Sequence, residues 1–297
     1  MDQSVFETPR GAGMTGGRDD SEAIGPQVWC DLILRRCGLT FRQTRIGDVV
    51  SAIRDQMGML GVPTEAEFYR RLTKPGASAP EWDALIERLI NHETSFFRHP
   101  PSFDALRRHI LPELREVRAR GGRLNLWSAG CSTGQEAHSL AMVAMADEAL
   151  KGEFTVWGGD ISRIAIEIAR RGRYGPRAVA TIPDVYRQQF LRPDGVDFEI
   201  TDELRSRVRF MATNLIGGLG FSAAHDVIFC HNVLIYFSPA AVSQAVEFLA
   251  SRLTLGGYLL LGPGEAPTER PHGLTQVTIA GVRAFQRRGA RPLEVRA

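Results

Sequence analysis

The stretch Ser128-Ala129-Gly130-Cys131-Ser132-Thr133-Gly134-Gln135-Glu136 joins a short apolar run, 124–127, to a segment with helical spacing. Ligands of open parallel sheets bind at the carboxyl ends of the strands, where such a turn would lie. Gly130 and Gly134 allow tight backbone and close approach of a ligand. The turn lacks the G-K-[ST] ending of a phosphate loop and the third glycine of the dinucleotide pattern. A purely structural strand-to-helix turn has as strong a claim on these glycines. Asp160 adds a second element, because it ends the next apolar run, 154–158, 24 residues after Glu136. A carboxylate there can accept hydrogen bonds from both hydroxyls of an adenosine ribose. The competing reading makes it a helix N-cap for Ile161-Ser162-Arg163. Together the turn and the acid favour an adenosine ligand without separating NAD from S-adenosylmethionine.

These residues need a scaffold, and the apolar spacing predicts one. From residue 26 to 89 the pattern is helical: Trp29, Ile33, Leu34 and Cys37; Ile46, Val49, Val50 and Ile53; Phe68, Tyr69 and Leu72; Trp82, Leu85, Ile86 and Leu89. Breaks at Gly38, Gly61-Val62-Pro63 and Lys74-Pro75-Gly76 divide it into about four helices. Beyond residue 123, strands at 124–127, 154–158, 208–211, 227–230 and 258–261 alternate with helices at 135–149, 163–171 and 239–253. Such alternation predicts an α/β fold, a mainly parallel sheet with helices on both faces. The pairs 277–280 and 283–286 around Gly281 read as a closing antiparallel hairpin. Residues 176–207 interrupt the rhythm and read as a small insertion.

Bulk properties narrow the function. The 297 residues suit two domains, and 43% hydrophobic with 24% charged residues is ordinary for a globular protein. A net charge of +2 gives no reason to expect nucleic acid or an anionic membrane as partner. The four cysteines lack C-x-x-C spacing, so neither a zinc nor a redox site is expected, and no metal site. The start Met-Asp-Gln-Ser is no signal peptide, and no apolar run approaches the ~18–20 residues of a membrane span. A cytoplasmic monomer with reduced thiols is expected.

The runs Glu93-Thr94-Ser95-Phe96-Phe97-Arg98, Ser128 to Glu136, Gly159-Asp160-Ile161-Ser162, Asn214-Leu215 and Phe229-Cys230-His231-Asn232-Val233-Leu234-Ile235-Tyr236-Phe237 resemble the CheR family of chemotaxis receptor glutamate O-methyltransferases. They occur in the family's order across residues 25–288. The resemblance implies a helical domain at 21–90, then, past a linker with a connecting helix at 91–122, a Rossmann-like methyltransferase domain at 123–288 carrying an inserted β-subdomain at 176–207. By composition, residues 1–20, with almost no large apolar residue, read as a disordered lead, and residues 289–297, rich in Arg and Pro, as a loose tail. The implied cofactor is S-adenosylmethionine, released as S-adenosylhomocysteine. The implied partner is a chemoreceptor or similar signalling protein. Carried over by position, the cofactor-binding residues are His92, Thr94, Arg98, Ala129, Gly130, Glu136, Asp160, Asn214, Leu215, His231 and Asn232. The catalytic positions are Arg98 and Tyr236.

The chemistry agrees with this set. A glutamate carboxylate has a reference pKa of about 4.3, so it is ionised near neutrality and needs no general base. The Arg98 guanidinium can fork onto a carboxylate, the cofactor's by resemblance, with an inter-domain salt bridge as the plainer reading. Glu136 could accept from the cofactor's α-ammonium group, or simply complement a helix N-terminus. Asn214 and Leu215 follow the third strand, where polar and apolar contacts to adenine fit. Tyr236 could orient the acceptor carboxylate through its hydroxyl, or sit in the core. Rival readings are a methyltransferase acting on a small molecule and a non-catalytic cofactor-binding signalling protein.

Departures gather on the acceptor side. His92, Gln135, Ala137, His138, His231 and the Pro263-Gly264 pair of Gly262-Pro263-Gly264-Glu265 differ from the residues common in the family, and the short Pro193-Asp194-Gly195 connection suggests no docking of a receptor tail peptide. In the family a strongly basic helix faces the acidic methylation helices. Here Arg45 and Arg54 are balanced by Asp48 and Asp55. Steering toward an acidic receptor is therefore expected to be weak. Initial rates of methyl transfer to acidic receptor fragments should be slow and change little between low and high salt. Fast transfer that falls steeply with salt would contradict this.

Overall fold

The computed structural model describes residues 24–74, 79–117, 122–150, 152–218, 221, 223–267, 269 and 271–288. The expected lead at 1–20 and tail at 289–297 lie outside them. The helical spacing of the N-terminal segment winds into α1 (Pro26–Cys37), α2 (Ile46–Leu60), α3 (Glu65–Thr73) and α4 (Ala79–Leu89). Pro26 starts the first helix, Gly38 and Gly61 end the first two, and the Thr64 hydroxyl caps the third by accepting from the Glu67 amide at 3.2 Å. Their apolar stripes close on one core around Trp29, Ile33, Val49, Ile53, Phe68 and Leu85.

The linker forms α5 (Pro100–Ala105), which continues through a π-helical turn at Leu106–Ile110 into α6 (Leu111–Val117). The α/β part then runs β1 (Leu124–Ala129), α7 (Gln135–Met145), β2 (Phe154–Asp160) and α8 (Arg163–Arg171). An insertion follows: β3 (Arg173–Tyr174), α9 (Pro176–Val179), α10 (Asp184–Phe190), β4 (Leu191–Asp194), β5 (Asp197–Ile200) and α11 (Asp202–Arg205). The main chain of the fold resumes with β6 (Val208–Ala212), β7 (His225–Cys230), α12 (Pro239–Ser251), β8 (Leu253–Leu261), β9 (Leu274–Ile279) and β10 (Val282–Arg287).

The main sheet has the order β6-β2-β1-β7-β8-β10-β9. Its first five strands are parallel, and β10 and β9 close it antiparallel, as the alternation and the final hairpin predict. The chain builds outward from β1 to β6, then crosses back to β7 on the other side of β1. That reversal opens a crevice at the carboxyl ends of β1 and β7, where ligands of such sheets bind. Apolar layers cover both faces, one around Leu126, Leu140 and Phe229, the other around Trp127, Ile228 and Leu249. The inserted three-stranded sheet, β3-β5-β4, begins at Arg173, ahead of the break in rhythm at residue 176. Tyr174 explains the earlier start: its hydroxyl donates to the Thr133 carbonyl at 2.8 Å and pins the insertion to the glycine turn.

The helical domain is laced to the same end of the sheet. Leu39 bridges Phe237, the Thr40 amide donates to the Tyr236 carbonyl at 2.8 Å, and the Asn214 side-chain amide donates to the Arg36 carbonyl at 2.8 Å. Arg163 pairs with Asp83 at 2.7 Å, and the Ser162 hydroxyl donates to Glu87. Among the described residues no helix is long and apolar enough to cross a membrane. Nor, among them, could any group of three or more His, Cys, Asp or Glu hold a metal ion.

Two histidines are sealed inside the α/β part. Burial pushes His138 from its ordinary 6.5 to about 4, despite the 3.3 Å contact of its Nε2 with the Ala169 carbonyl. Burial, with the charge of Arg252, does the same to His225, whose ring lies 5.1 Å from that of Trp127. Both fold as neutral imidazoles, while the unfolded chain binds their protons below its own pKa. Their contribution is therefore complete above pH 6.5 and is lost as pH falls toward 4. Replacing His225 with Phe should remove roughly 2–3 kcal/mol of the stability lost between neutral pH and about pH 4.5. Urea unfolding at the two pH values checks this, and equal losses in both proteins would refute it.

Candidate functional site

At the end of β1 the chain turns sharply. Gly130 (φ 81°), Ser132 (φ 48°) and Gly134 (φ 96°) all adopt positive φ. The amides of Gly130 and Cys131 both donate to the Gly159 carbonyl, at 2.7 and 2.9 Å, so the turn folds over β2. A Cβ on Gly130 would lie 2.2 Å from Val233 Cγ2, so glycine is required by the approach of the loop after β7 as well as by φ.

Asp160, 8% exposed, clips the turn in place. Its Oδ2 accepts from the Ser132 amide at 2.7 Å and its Oδ1 from the Ser162 amide at 2.9 Å. The cap of α8 is Ser162, which accepts from the Ala165 amide, so Asp160 is not the N-cap. Burial pushes its carboxyl above the usual range, against the pull of the Ser162 and Ser132 amides. Each carboxylate oxygen has room for a second donor, because an ionised carboxylate accepts about four hydrogen bonds.

Glu136 stands in the first turn of α7, also buried. Its Oε1 accepts from the Ser128 hydroxyl at 2.7 Å, and its Oε2 lies 3.0 Å from His231 Nδ1. On the other side His231 Nε2 is 3.5 Å from the Ser102 hydroxyl, which contacts His99 Nδ1 at 2.7 Å. Burial, and the charge of His231, push the His99 imidazole below its usual value. Burial and nearby carboxylates hold the Cys131 and Cys230 thiols well above theirs, so neither is a ready nucleophile.

Gly130, Ser132, Glu136, Asp160 and His231 face one cleft of about 1130 Å³, its open mouth included, between the helical domain and the sheet. Of the sequence-predicted residues, His92, Thr94, Arg98, Gly130, Glu136, Asp160, Asn214, Leu215, His231, Asn232 and Tyr236 line it. Ala129 does not; it is fully buried at the end of β1, paired with Gly159. His92 lies 2.8 Å from Glu87 Oε1, and its carbonyl accepts from the Ser132 hydroxyl at 3.1 Å. Arg98 is exposed on the cleft lining and donates to the Glu93 carbonyl at 2.8 Å, and no carboxylate pairs with it among the described residues. Asn214 is occupied on both sides, donating to Arg36 and accepting from the Ile216 amide at 3.0 Å.

Sequence reasoning missed Leu39, Thr40, Phe41 and Arg45 of the helical domain, and Thr213 at the end of β6, all on the cleft wall. Thr40 meets Tyr236 across 196 residues, a contact that no local pattern announces. Glu265 was also missed as a working residue. Its carboxylate reaches back from the end of β8 to the loop after β7.

A family profile described as "CheR methyltransferase, SAM binding domain" matches residues 92–280. Over 272 residues the chain is 33% identical to the probable biofilm formation methyltransferase WspC of Pseudomonas aeruginosa, covering 89% of this chain and 63% of the length of that protein. It is 30% identical to chemotaxis protein methyltransferase 1 of the same organism, covering 80% of this chain and 88% of the relative. It is 29% identical to a probable chemotaxis protein methyltransferase of Rhizobium etli, covering 79% and 89%. The glycine turn, Asp160 and Glu136 lie within the matched span, and the chain belongs to the CheR methyltransferase family, with S-adenosylmethionine as its cofactor.

Proposed function

We propose that the protein transfers a methyl group from S-adenosylmethionine to the side-chain carboxylate of a glutamate in a chemoreceptor or similar signalling protein. The observation that carries this reading is the donor and acceptor set around one cleft: two buried carboxylates, Asp160 and Glu136, with the exposed Arg98 guanidinium at the mouth. Asp160 suits the ribose hydroxyls, Glu136 the α-ammonium group and Arg98 the cofactor's carboxylate. Leu215 and the fixed Asn214 suit the adenine end. His92, Thr94, Gly130, His231 and Asn232 complete the wall. Ala129 acts only by setting the turn, since it is shielded from the cleft.

The bound sulfonium supplies an activated methyl group. The protein's own task is alignment. Arg98 and the buried acids would hold the two ends of the donor in a cleft that the loop ending in Tyr236 also lines. The Tyr236 hydroxyl, which has no partner among the described residues, orients the incoming carboxylate. The apolar wall of Leu39, Phe41 and Phe237 excludes water from the transfer. No base is required, because a glutamate carboxylate is ionised near neutrality. The relatives' names cite both chemotaxis and biofilm formation, so the receptor belongs to a signalling array of either kind.

Radiolabelled methyl transfer into host proteins, followed by alkaline release, tests the reaction. Base-labile label in a receptor-sized protein is expected; label confined to small metabolites, or none, would overturn it. A second measurement tests the site. Asp160→Ala should weaken S-adenosylhomocysteine binding at least tenfold, the equivalent of about 1.4 kcal/mol, in calorimetric titration. Unchanged affinity in the folded variant would remove Asp160 from the cofactor's ribose.

A further inference from the structure

The loop after β7 carries His231, Asn232 and Tyr236 into the cleft, and its conformation is unusual. Asn232 has φ 60°, and the next residues coil into a short 3-10 turn at Leu234–Tyr236. Four consecutive amides of this loop point the same way, onto one side chain. Glu265 accepts from the Asn232 amide at 2.6 Å, the Val233 amide at 2.8 Å, the Leu234 amide at 2.8 Å and the Ile235 amide at 3.3 Å. Glu265 is 3% exposed, and no arginine or lysine pairs with it among the described residues. Its charge is solvated by backbone N–H groups alone, the arrangement of an anion bound in a nest. Gly262 is shaped to it: a Cβ there would lie 2.0 Å from Glu265 Oε2 and 3.2 Å from the Asn232 amide nitrogen.

The far end of the loop is held differently. The Tyr236 carbonyl accepts from both the amide and the hydroxyl of Thr40, at 2.8 and 3.1 Å. Between these two anchors lie Val233, which presses on the glycine turn, and Tyr236, whose ring lines the cleft. We propose that Glu265 is a positioning residue for methyl transfer: its carboxylate gathers the amides of residues 232–235 and so sets Asn232 and Tyr236 against the glycine turn. It touches neither substrate nor cofactor and does not line the cleft. A glutamine at 265 would present an N–H₂ group to some of these donors, leaving amides unsatisfied and the loop free to shift.

The inference rests on the proposed methyl transfer, and its test separates the two. In Glu265→Gln the concentration of active sites is counted by S-adenosylhomocysteine binding, so that lost folding does not masquerade as lost catalysis. Expected are a kcat per binding site at least tenfold below that of the unaltered protein and a smaller rise in the dissociation constant for S-adenosylhomocysteine, since Asp160 and Glu136 are untouched and Asn232 alone of the proposed cofactor wall loses its anchor. Gly262→Ala, which displaces the carboxylate while keeping its charge, should show the same split. If Glu265→Gln does not fold, this second variant decides the matter. Amide hydrogen exchange of residues 232–235 reads the loop without any turnover; protection should be present in the unaltered protein and lost in either variant. Absence of transfer by the unaltered protein would defeat the reaction reading alone, with exchange still deciding whether Glu265 holds the loop. A kcat per site equal to that of the unaltered protein, or unchanged protection, would overturn the role of Glu265.

Discussion

A carboxylate removed from water must find other donors, and at this site backbone amides supply them. Asp160 binds the amide of Ser132 in the turn after β1 and the amide of Ser162 in the turn after β2. One side chain thereby ties together two strand ends that parallel pairing brings side by side but does not lock. The strained backbone at Ser132 and the positive φ of Gly130 and Gly134 persist because this tie, with the Gly159 carbonyl, over-determines them. Everything that faces the cleft from the sheet depends on that turn: Glu136 starts the helix it leads into, Val233 packs on its glycine, and Tyr174 holds the insertion to it.

The helical domain completes the site from the other side, with Ile161 of the α/β part packed on its core and Gly38 close against Ile216 and Phe237. Its polar contacts with that part include Thr40 to Tyr236, Arg36 to Asn214 and Asp83 to Arg163. Hydrogen bonds of this kind fix orientation at modest net energy. They place Leu39, Phe41 and Arg45 on the wall of the cleft.

Much of this was legible in the chain because local physics dictates it. Strand and helix periodicities are properties of short windows, so the alternation after residue 123 and the hairpin around Gly281 were readable. Gly130 and Asp160 sit at strand ends, with Glu136 in the first turn of the helix after β1, and a parallel sheet with its reversal at β1 and β7 must bring those ends to one crevice. What stayed hidden depends on direction and distance. Ala129 shares the turn's sequence but points into the core, which position alone does not reveal. Asn214 has the right address for a ligand contact, yet its side chain is bound to Arg36, on a helix 178 residues away. Glu265 follows a Gly-Pro-Gly run that reads as a plain turn, and only the folded chain lays the four loop amides over it.

The two sides of the cleft differ in how they are made, and the difference has a consequence. The side proposed to hold the cofactor combines contacts between neighbours in sequence, Ser128 with Glu136 across 8 residues and Asp160 with Ser162 across 2, with the tie from Asp160 to Ser132 across 28. The nearest of these form within single strand–turn–helix units, and the third joins two adjacent units of the parallel sheet. The opposite side joins elements from the two ends of the chain, Thr40 to Tyr236 across 196 residues and Glu265 to Asn232 across 33. Its geometry is a sum of two domain positions and one loop, so a substitution in the helical domain can move Tyr236 while leaving Asp160 and Glu136 in place. Under the proposed transfer, acceptor choice can therefore vary with the surface of the helical domain, while Asp160 and Glu136 of the donor's cradle stay with the sheet.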